Sequence, residues 1–268
     1  MIMKRILLST IFLFAVNCAV ASISIHPYSL EFEMSSKKRM HSVRIINNSQ
    51  EEKTYRVSFV NYVQREDGSY REPMPQEVLN TADAYLYFSP RQFTLKPGKM
   101  QTVNVIRRPT AELPDGEYVS HLKVAEVDIP VSREQAAEKQ QKNEPGALQF
   151  QLKALYAVTI PVTLQKGNLE SKFEISNAQL SVRDAVTVME VVLQATGTKS
   201  ARGDISIRDS KKKVIGQLNN VRIFPYNKER RLAIPLSKTE QELVGETLTV
   251  ILKNKETGKN VSEKKISI

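Results

Sequence analysis

The sequence predicts an all-β protein made of two β-sandwich domains. Apolar and polar residues alternate with a period of two in many short runs, and this period places one set of side chains on one face of a strand. Clusters of Gly, Pro, Asn and Asp separate the runs, as in sandwiches with short turns. The 268-residue chain has a single cysteine, Cys18, so it cannot form an internal disulfide. Hydrophobic cores must therefore stabilise the domains, and the length suffices for two cores. We expect a leader at residues 1–21, a first domain at residues 22–165 and a second, smaller sandwich at residues 166–268.

The amino terminus has the pattern of a secretory signal peptide. Lys4 and Arg5 precede an apolar run at residues 6–16, and Ala19-Val20-Ala21 supplies the small residues of a cleavage site. The apolar run is too short to span a bilayer and no later stretch is longer, so we expect no membrane span. Asn17 is too large for the residue before a lipidated cysteine, which argues against lipidation of Cys18.

Composition and charge exclude several functions. The net charge is +10, and loss of Lys4 and Arg5 with the leader leaves +8. The basic clusters are scattered and have no aromatic platform between them, so nucleic-acid binding is not expected, whereas acidic partners or a membrane surface would be attracted. The three histidines are far apart, and neither a nucleophile elbow nor a phosphate-binding glycine loop occurs. We therefore expect no catalytic residues, no metal and no cofactor, and a protein that is not an enzyme.

Short strands follow one another over residues 22–127. Pro27 interrupts the first strand, residues 23–32, and a proline there suits an edge or a change of sheet. Pro97-Gly98 is the signal of a type II turn between two further strands. Residues 70–84 are polar and contain two prolines, which predicts a loop. Residues 117–127 form another strand, in which His121 is expected to be hydrogen-bonded or exposed.

The longest period-two pattern lies at residues 147–164, ALQFQLKALYAVTIPVTL. It predicts one strand with one apolar face, and it exceeds the usual five or six residues, so part of the face can serve a partner. The apolar row consists of Leu148, Phe150, Leu152, Ala154, Tyr156, Val158, Ile160, Val162 and Leu164. The preceding residues, 128–146, are charged and rich in Gln, which predicts a mobile loop. A loop that leads into an alternating strand offers a sheet edge to another chain.

Two segments of the first domain carry a specific pattern of turn and strand residues. They are residues 89–98, SPRQFTLKPG, followed by Gln101-Thr102-Val103, and residues 116–122, GEYVSHL. This pattern resembles the first domain of the periplasmic pilus-assembly chaperones. Residues 147–164 are similar to the long last strand of that domain, and residues 128–146 are similar to its mobile subunit-binding loop.

The resemblance implies two immunoglobulin-like domains, a periplasmic location and a chaperone function. In that family the long strand is lent to a pilus or fimbrial subunit whose own sandwich lacks a strand, which is donor-strand complementation. It also implies an outer-membrane usher as a partner. The implied subunit-binding residues are Leu148, Phe150, Leu152, Ala154 and Tyr156. Such an edge also favours self-association of the chain.

The sequence departs from the family at the expected carboxylate anchor. Better-known members use an arginine of the first strand and a lysine of the donor strand to hold the terminal carboxylate of the subunit. Here residues 23–32 contain no Arg or Lys, and Ser29 stands near the position of the arginine. Two registers place the lysine position either at Lys153 or at Ala157. Lys153 is thus the candidate anchor, with a solvated charge as the alternative, and a lysine alone lacks the bidentate fork of arginine.

The second half predicts a sandwich of short strands. A polar turn at residues 165–168 precedes it, and residues 240–244 suit a short helical turn. The predicted strands are residues 173–182, 186–195, 205–208, 213–217, 222–224, 231–236, 247–252 and 264–268.

Two functions remain open from the sequence. One is a chaperone that lends the strand at residues 147–164 to fimbrial subunits; the other is a structural or adhesive two-domain protein of a surface fibre. A fibre subunit needs a donor segment at its own amino terminus, whereas this chain carries its alternating row in mid-chain. The position of the row favours the chaperone.

Overall fold

The computed structural model describes residues 22–77, 79–109, 113–128 and 154–268. These residues form two β-sandwiches with separate hydrophobic cores, which confirms the all-β prediction. The predicted leader and residues 147–153 of the long predicted strand lie outside the described residues.

The first sandwich has an immunoglobulin-like topology. Its strands are β1 (Ile23–His26), β2 (Leu30–Glu33), β3 (Met40–Asn47), β4 (Lys53–Val60), β5 (Val63–Gln64), β6 (Tyr70–Arg71), β7 (Leu86–Ser89), β8 (Gln92–Leu95), β9 (Met100–Arg107), β10 (Gly116–Val127) and β11 (Ala157–Lys166). One sheet has the order β1-β3-β9-β7 and the other the order β2-β11-β10-β4-β8. All pairs are antiparallel except β2 with β11. The order matches the two sheets of an immunoglobulin sandwich, with the first strand shared between them.

Two prolines mark the points where the chain changes sheets. Pro27 separates β1 in the four-stranded sheet from β2 in the five-stranded sheet, which is one of the two placements expected from the sequence. Pro90 separates β7 from β8 in the same way. Because proline cannot donate a ladder hydrogen bond, both lie between strands rather than within one.

The turn predictions are partly right. At Pro97-Gly98 the amide of Lys99 donates to the carbonyl of Lys96 at 3.1 Å, and Gly98 has φ +68°, as a type II turn requires. The loop predicted at residues 70–84 is wrong at both ends. Tyr70 and Arg71 form β6, which pairs with β5, and a 3-10 helix spans Asp83–Tyr85. Two-residue strands are too short to show a period in the sequence.

The strand predicted at residues 147–164 appears as β11, Ala157–Lys166, among the described residues. Residues 154–156 have no strand assignment, so β11 begins later than predicted within the part that the structure describes. It also continues two residues beyond the predicted end, because Gln165 and Lys166 pair with Glu117 and Gly116 of β10.

The second sandwich consists of seven strands and a short helix. They are β12 (Ser171–Arg183), β13 (Val186–Gly197), β14 (Ala201–Arg208), β15 (Val214–Ile223), β16 (Glu229–Pro235), α1 (Glu240–Leu243), β17 (Thr247–Asn254) and β18 (Asn260–Ser267). The sheets have the orders β12-β13-β16 and β15-β14-β17-β18. Helix α1 confirms the helical turn predicted at residues 240–244.

The edges of the second sandwich approach each other on both sides. Between β12 and β18, the amide of Ile175 donates to Ser262 Oγ at 3.1 Å, and Lys264 Nζ donates to the carbonyl of Ser176 at 2.7 Å. On the other side, the amide of Ser237, just after β16, donates to the carbonyl of Ile215 in β15 at 2.8 Å. These bonds satisfy backbone groups that an open edge would expose.

Replacement of Gly197 by alanine should destabilise the second sandwich strongly. Gly197 has φ +122°, and a Cβ there would lie 2.1 Å from the carbonyl oxygen of Glu170. We expect Gly197→Ala to lower the free energy of unfolding by about 3 kcal/mol or more, from backbone strain and displacement of that carbonyl. Urea unfolding followed by circular dichroism measures the loss.

Gly245 provides the matched control in the same sandwich. It has φ +79°, but no atom lies within 4 Å of a Cβ at this position. Gly245→Ala should therefore cost only about 1 to 2 kcal/mol, the penalty of the left-handed backbone alone. Equal losses in the two variants would contradict the predicted clash.

Candidate strand-edge binding site

Strand β11 is paired on one side along its whole length and on the other side only near its end. It pairs with β10 from Ala157 to Lys166 and with β2 only from Val162 to Gln165. The edge from Ala157 to Pro161 has no strand partner among the described residues. Such an edge presents backbone C=O groups and, except at Pro161, N–H groups to which another strand can add.

The apolar row of β11 passes from the core to the surface. Ile160, Val162 and Leu164 are buried in the first core, and Val158 packs against it with partial exposure. Tyr156, which continues the row, is 53% exposed. The apolar row therefore continues past the residues that are buried in the core of the first sandwich.

The predicted site residues fall into two groups. Ala154 and Tyr156 are exposed, together with Leu155 between them. The carbonyl of Tyr156 accepts a hydrogen bond from the amide of Glu126 at 2.8 Å, so the pairing with β10 continues one residue before β11. The other predicted site residues, Leu148, Phe150, Leu152 and Lys153, lie outside the described residues. Ala157, the alternative anchor position, is the exposed first residue of β11.

A buried carboxylate at the start of β10 joins the two sandwiches. Glu117 accepts hydrogen bonds from Gln165 Nε2 at 2.8 Å, from the amide of Ser200 at 3.1 Å and from the hydroxyl of Ser200. The guanidinium of Arg222 lies 3.7 Å from the Glu117 carboxylate. Because a buried carboxylate is costly unless it is bonded on several sides, these contacts hold β10 against the second sandwich.

Arg222 is itself almost fully enclosed at this junction. Burial, and next the neighbouring charge of Arg202, lower the pKa of Arg222 to about 10, while Glu117 opposes this shift. The guanidinium lies 4.7 Å from the ring centroid of Phe224. Arg202 forms a separate ion pair with Glu31 of β2. A buried ion pair, Glu117 with Arg222, thus lies close to a more exposed one, Arg202 with Glu31, and no local pattern could have predicted either.

The β5–β6 hairpin is a second link between the sandwiches. The carbonyl of Glu66 accepts from the amide of Arg231 at 2.7 Å, and Tyr226 Oη accepts from the amide of Gln64 at 3.2 Å. Asn227 Nδ2 donates to the carbonyl of Gln64 at 2.8 Å. Backbone-mediated bonds of this kind fix the hairpin on the second sandwich.

His121 occupies a different environment from the predicted one. It is buried, and neither ring nitrogen has a hydrogen-bond partner among the described residues. Its ring contacts those of Tyr62 and Tyr70, each with a centroid distance of 5.3 Å. Burial, and to a lesser extent the charge of Arg222, lower the pKa of His121 to about 4. The prediction of a hydrogen-bonded or exposed imidazole was wrong, because the hairpin that covers it was not foreseen.

The described residues contain no cluster of three or more His, Cys, Asp or Glu side chains suited to a metal ion. Over the same residues, no helix has both the length and the apolar character needed to cross a membrane.

The fold and the partly unpaired strand define a two-sandwich protein with a candidate edge for strand addition. No family model matches the chain, and no curated protein matches it. Solved structures do match. A chain of the CsuC–CsuE chaperone–tip adhesion subunit complex of Acinetobacter baumannii is 14% identical, with a TM-score of 0.45 and coverage of 92% of this chain and 97% of that chain.

Two further matches are of the same kind. The Pseudomonas aeruginosa CupB2 chaperone is 12% identical, with a TM-score of 0.44 and coverage of 91% of this chain and 100% of that one. A chain of the Salmonella enterica SafA pilin–SafB chaperone complex is 10% identical, with a TM-score of 0.44 and coverage of 93% and 97% respectively.

The neutral, buried His121 predicts acid-sensitive stability. Its folded pKa of about 4 lies below the ordinary value of 6.5, so the unfolded chain takes up a proton first as the pH falls. Stability should be unaffected by this group above pH 6.5, and up to roughly 3 kcal/mol should be lost between pH 6.5 and 4. His121→Gln, which cannot take up the proton, should reduce that loss. Urea unfolding at pH 7 and pH 4.5 measures the difference.

His26→Gln, at an exposed histidine of β1, is the matched control and should leave the pH dependence as in the wild-type protein. An equal loss of stability on acidification in wild type and His121→Gln would show that the imidazole does not cause it.

Proposed function

We propose that this protein is a periplasmic chaperone that binds pilus or fimbrial subunits by lending them the edge strand that ends in β11. The observation that carries the proposal is the unpaired edge of β11 from Ala157 to Pro161, in line with an apolar row that is already exposed at Tyr156. The motifs at residues 89–98 and 116–122 support it. Binding of this kind involves no catalytic step.

The apolar row can supply enough free energy for a stable complex. Removal of one large apolar side chain from water contributes roughly 1.5 to 3 kcal/mol. Leu148, Phe150 and Leu152 together would contribute on the order of 5 to 8 kcal/mol before the costs of ordering are subtracted. Backbone hydrogen bonds along the added strand would set its direction, and the alternating side chains would set its register.

The partners and the anchor follow from the same proposal. We assign residues 1–21 to a cleaved signal peptide, residues 22–165 to the subunit-binding domain and residues 166–268 to the second sandwich. Lys153 is the proposed anchor for the terminal carboxylate of the subunit, and an outer-membrane usher is the proposed recipient of the complex.

Charge substitutions in the apolar row should abolish subunit protection. A fimbrial subunit encoded in the same genome is produced in a bacterial periplasm together with the full-length chain. Leu148→Glu and Phe150→Glu should reduce the soluble subunit to the level seen without the chaperone, because each puts a carboxylate into an apolar pocket of the subunit. Subunit yield and co-elution on size exclusion measure the effect.

Gln149→Glu and Gln151→Glu are the matched controls, since they add the same charge on the opposite face of the strand. They should leave the subunit yield near that of the wild type. Unchanged yield with Leu148→Glu and Phe150→Glu would argue against the chaperone and favour the structural or adhesive alternative.

The same edge should mediate self-association of the mature protein. An unpaired apolar strand gains hydrogen bonds and buried area when it meets a second copy. Sedimentation velocity should show a dimer fraction that increases with concentration, and Phe150→Glu should lower it. A monomer at every concentration would show that the edge is not free to pair.

A further inference from the structure

The outer face of the four-stranded sheet lacks acidic side chains. Alternate residues of β1, β3, β7 and β9 point away from the core, and none of them is Asp or Glu. They are Ser24, His26, Met40, Ser42, Arg44, Ile46, Tyr87, Ser89, Met100, Thr102, Asn104 and Ile106. This face lies on the sheet that does not contain β11, so it is separate from the unpaired edge of β11.

One end of this face carries an exposed apolar row across three strands. Ile106 of β9 pairs with Met40 of β3 on one side and with Tyr87 of β7 on the other. Met40 is 47% exposed, Ile106 39% and Tyr87 52%. Directly opposed side chains on one face touch each other, so these three form one contiguous apolar surface.

Four cations lie beside the apolar row. Lys37, Lys38 and Arg39 are consecutive exposed residues in the loop that leads to Met40. The guanidinium of Arg108 lies 3.9 Å above the ring of Tyr87. None of these four cations has an ion-pair partner within the portion of the chain that the structure describes. We call the surface formed by Lys37, Lys38, Arg39, Met40, Tyr87, Ile106 and Arg108 the basic-apolar patch.

A buried arginine beneath the loop adds to the uncompensated charge. Arg107 is 5% exposed, and its guanidinium donates to the carbonyls of Met34 at 3.2 Å and Ser36 at 2.6 Å. Its Nε atom is buried without a hydrogen-bond partner in the described residues. Burial, and then the charge of Arg39, lower the pKa of Arg107. Arg107 thus places a further cation beneath the loop, without an ion-pair partner among the described residues.

We propose that the basic-apolar patch docks an acidic segment of a partner protein that also carries apolar side chains. Carboxylates would meet the four unpaired cations, and apolar side chains would cover Met40 and Ile106. The proposal does not depend on the function assigned to the β11 edge.

The neighbouring residues favour a protein over a nucleic acid or a membrane. The next row on the face is neutral and polar, with Ser42 Oγ donating to Asn104 Oδ1 at 2.7 Å, and such groups can also bond a peptide backbone. Arg108 already covers one face of the Tyr87 ring, which leaves less of the ring for stacking on a base. The row lies on the flat face of a sheet, whereas membrane insertion uses protruding or amphipathic helical surfaces.

Binding of a defined peptide to the protein with residues 22–268 tests the proposal. The probe is a fluorescein-labelled twelve-residue peptide of Asp and Glu with two Leu residues, and binding is followed by fluorescence anisotropy. The triple variant Lys38→Glu, Arg39→Glu, Arg108→Glu should bind at least about tenfold more weakly than the wild type, because three attractive charges become repulsive. Met40→Ser with Ile106→Ser should weaken binding several-fold, and added salt should weaken it in the wild type.

The control variant reverses an equally basic, exposed cluster of the second sandwich, Lys211→Glu, Lys212→Glu, Lys213→Glu, and should bind the peptide like the wild type. Unfolding midpoints establish that each variant is folded. Equal weakening in the two triple variants would overturn the proposal, as would equal binding of a peptide with Ser in place of Leu. Tighter, patch-dependent binding of phosphatidylglycerol vesicles or of single-stranded DNA would also overturn it.

Discussion

The hydrogen-bond ladder between β10 and β11 is the interaction on which both the edge and the junction of the sandwiches depend. It fixes which face of β11 enters the core, since a shift of one residue would turn Ile160 and Val162 to the solvent. The same strand β10 carries Glu117 to the second sandwich and His121 to the contact with the hairpin. One strand therefore sets the position of the open edge relative to the rest of the molecule.

The two sandwiches differ in how their sheet edges are hydrogen-bonded. In the second, bonds such as those from Ile175 to Ser262 and from Ser237 to Ile215 join the margins of the two sheets. In the first, β2 covers only the last part of β11. Among the residues that the structure describes, the second domain therefore bonds the backbone groups at its margins, whereas the first domain leaves part of β11 unpaired. This difference suits the first domain to a binding role.

Local signals predicted most of the strands, and contacts between distant residues explain what was missed. Period-two alternation and the restricted backbone of Pro27 act over a few residues, so most strands and the break after β1 could be predicted, whereas strand ends such as the start of β11 could not. The Glu117–Ser200 contact joins residues 83 positions apart, and no pattern in the chain encodes such a distance. The environment of His121 was missed for the same reason, because a hairpin with two-residue strands encloses it. Within the candidate site, the sequence identified the apolar row, whereas the length of the unpaired edge depends on where β2 begins to pair with β11.

The parallel pairing of β2 with β11 has a geometric consequence for any strand that is added there. The stretch from Ala154 to Pro161 is about eight residues, which is roughly 26 Å at the rise of an extended strand. At its far end Leu30, the first residue of β2, already occupies the place opposite Val162. A strand that pairs with this edge can extend only as far as Leu30, because β2 occupies the edge of β11 from Val162 onward. The fold would thereby fix how far a guest strand can advance toward Val162.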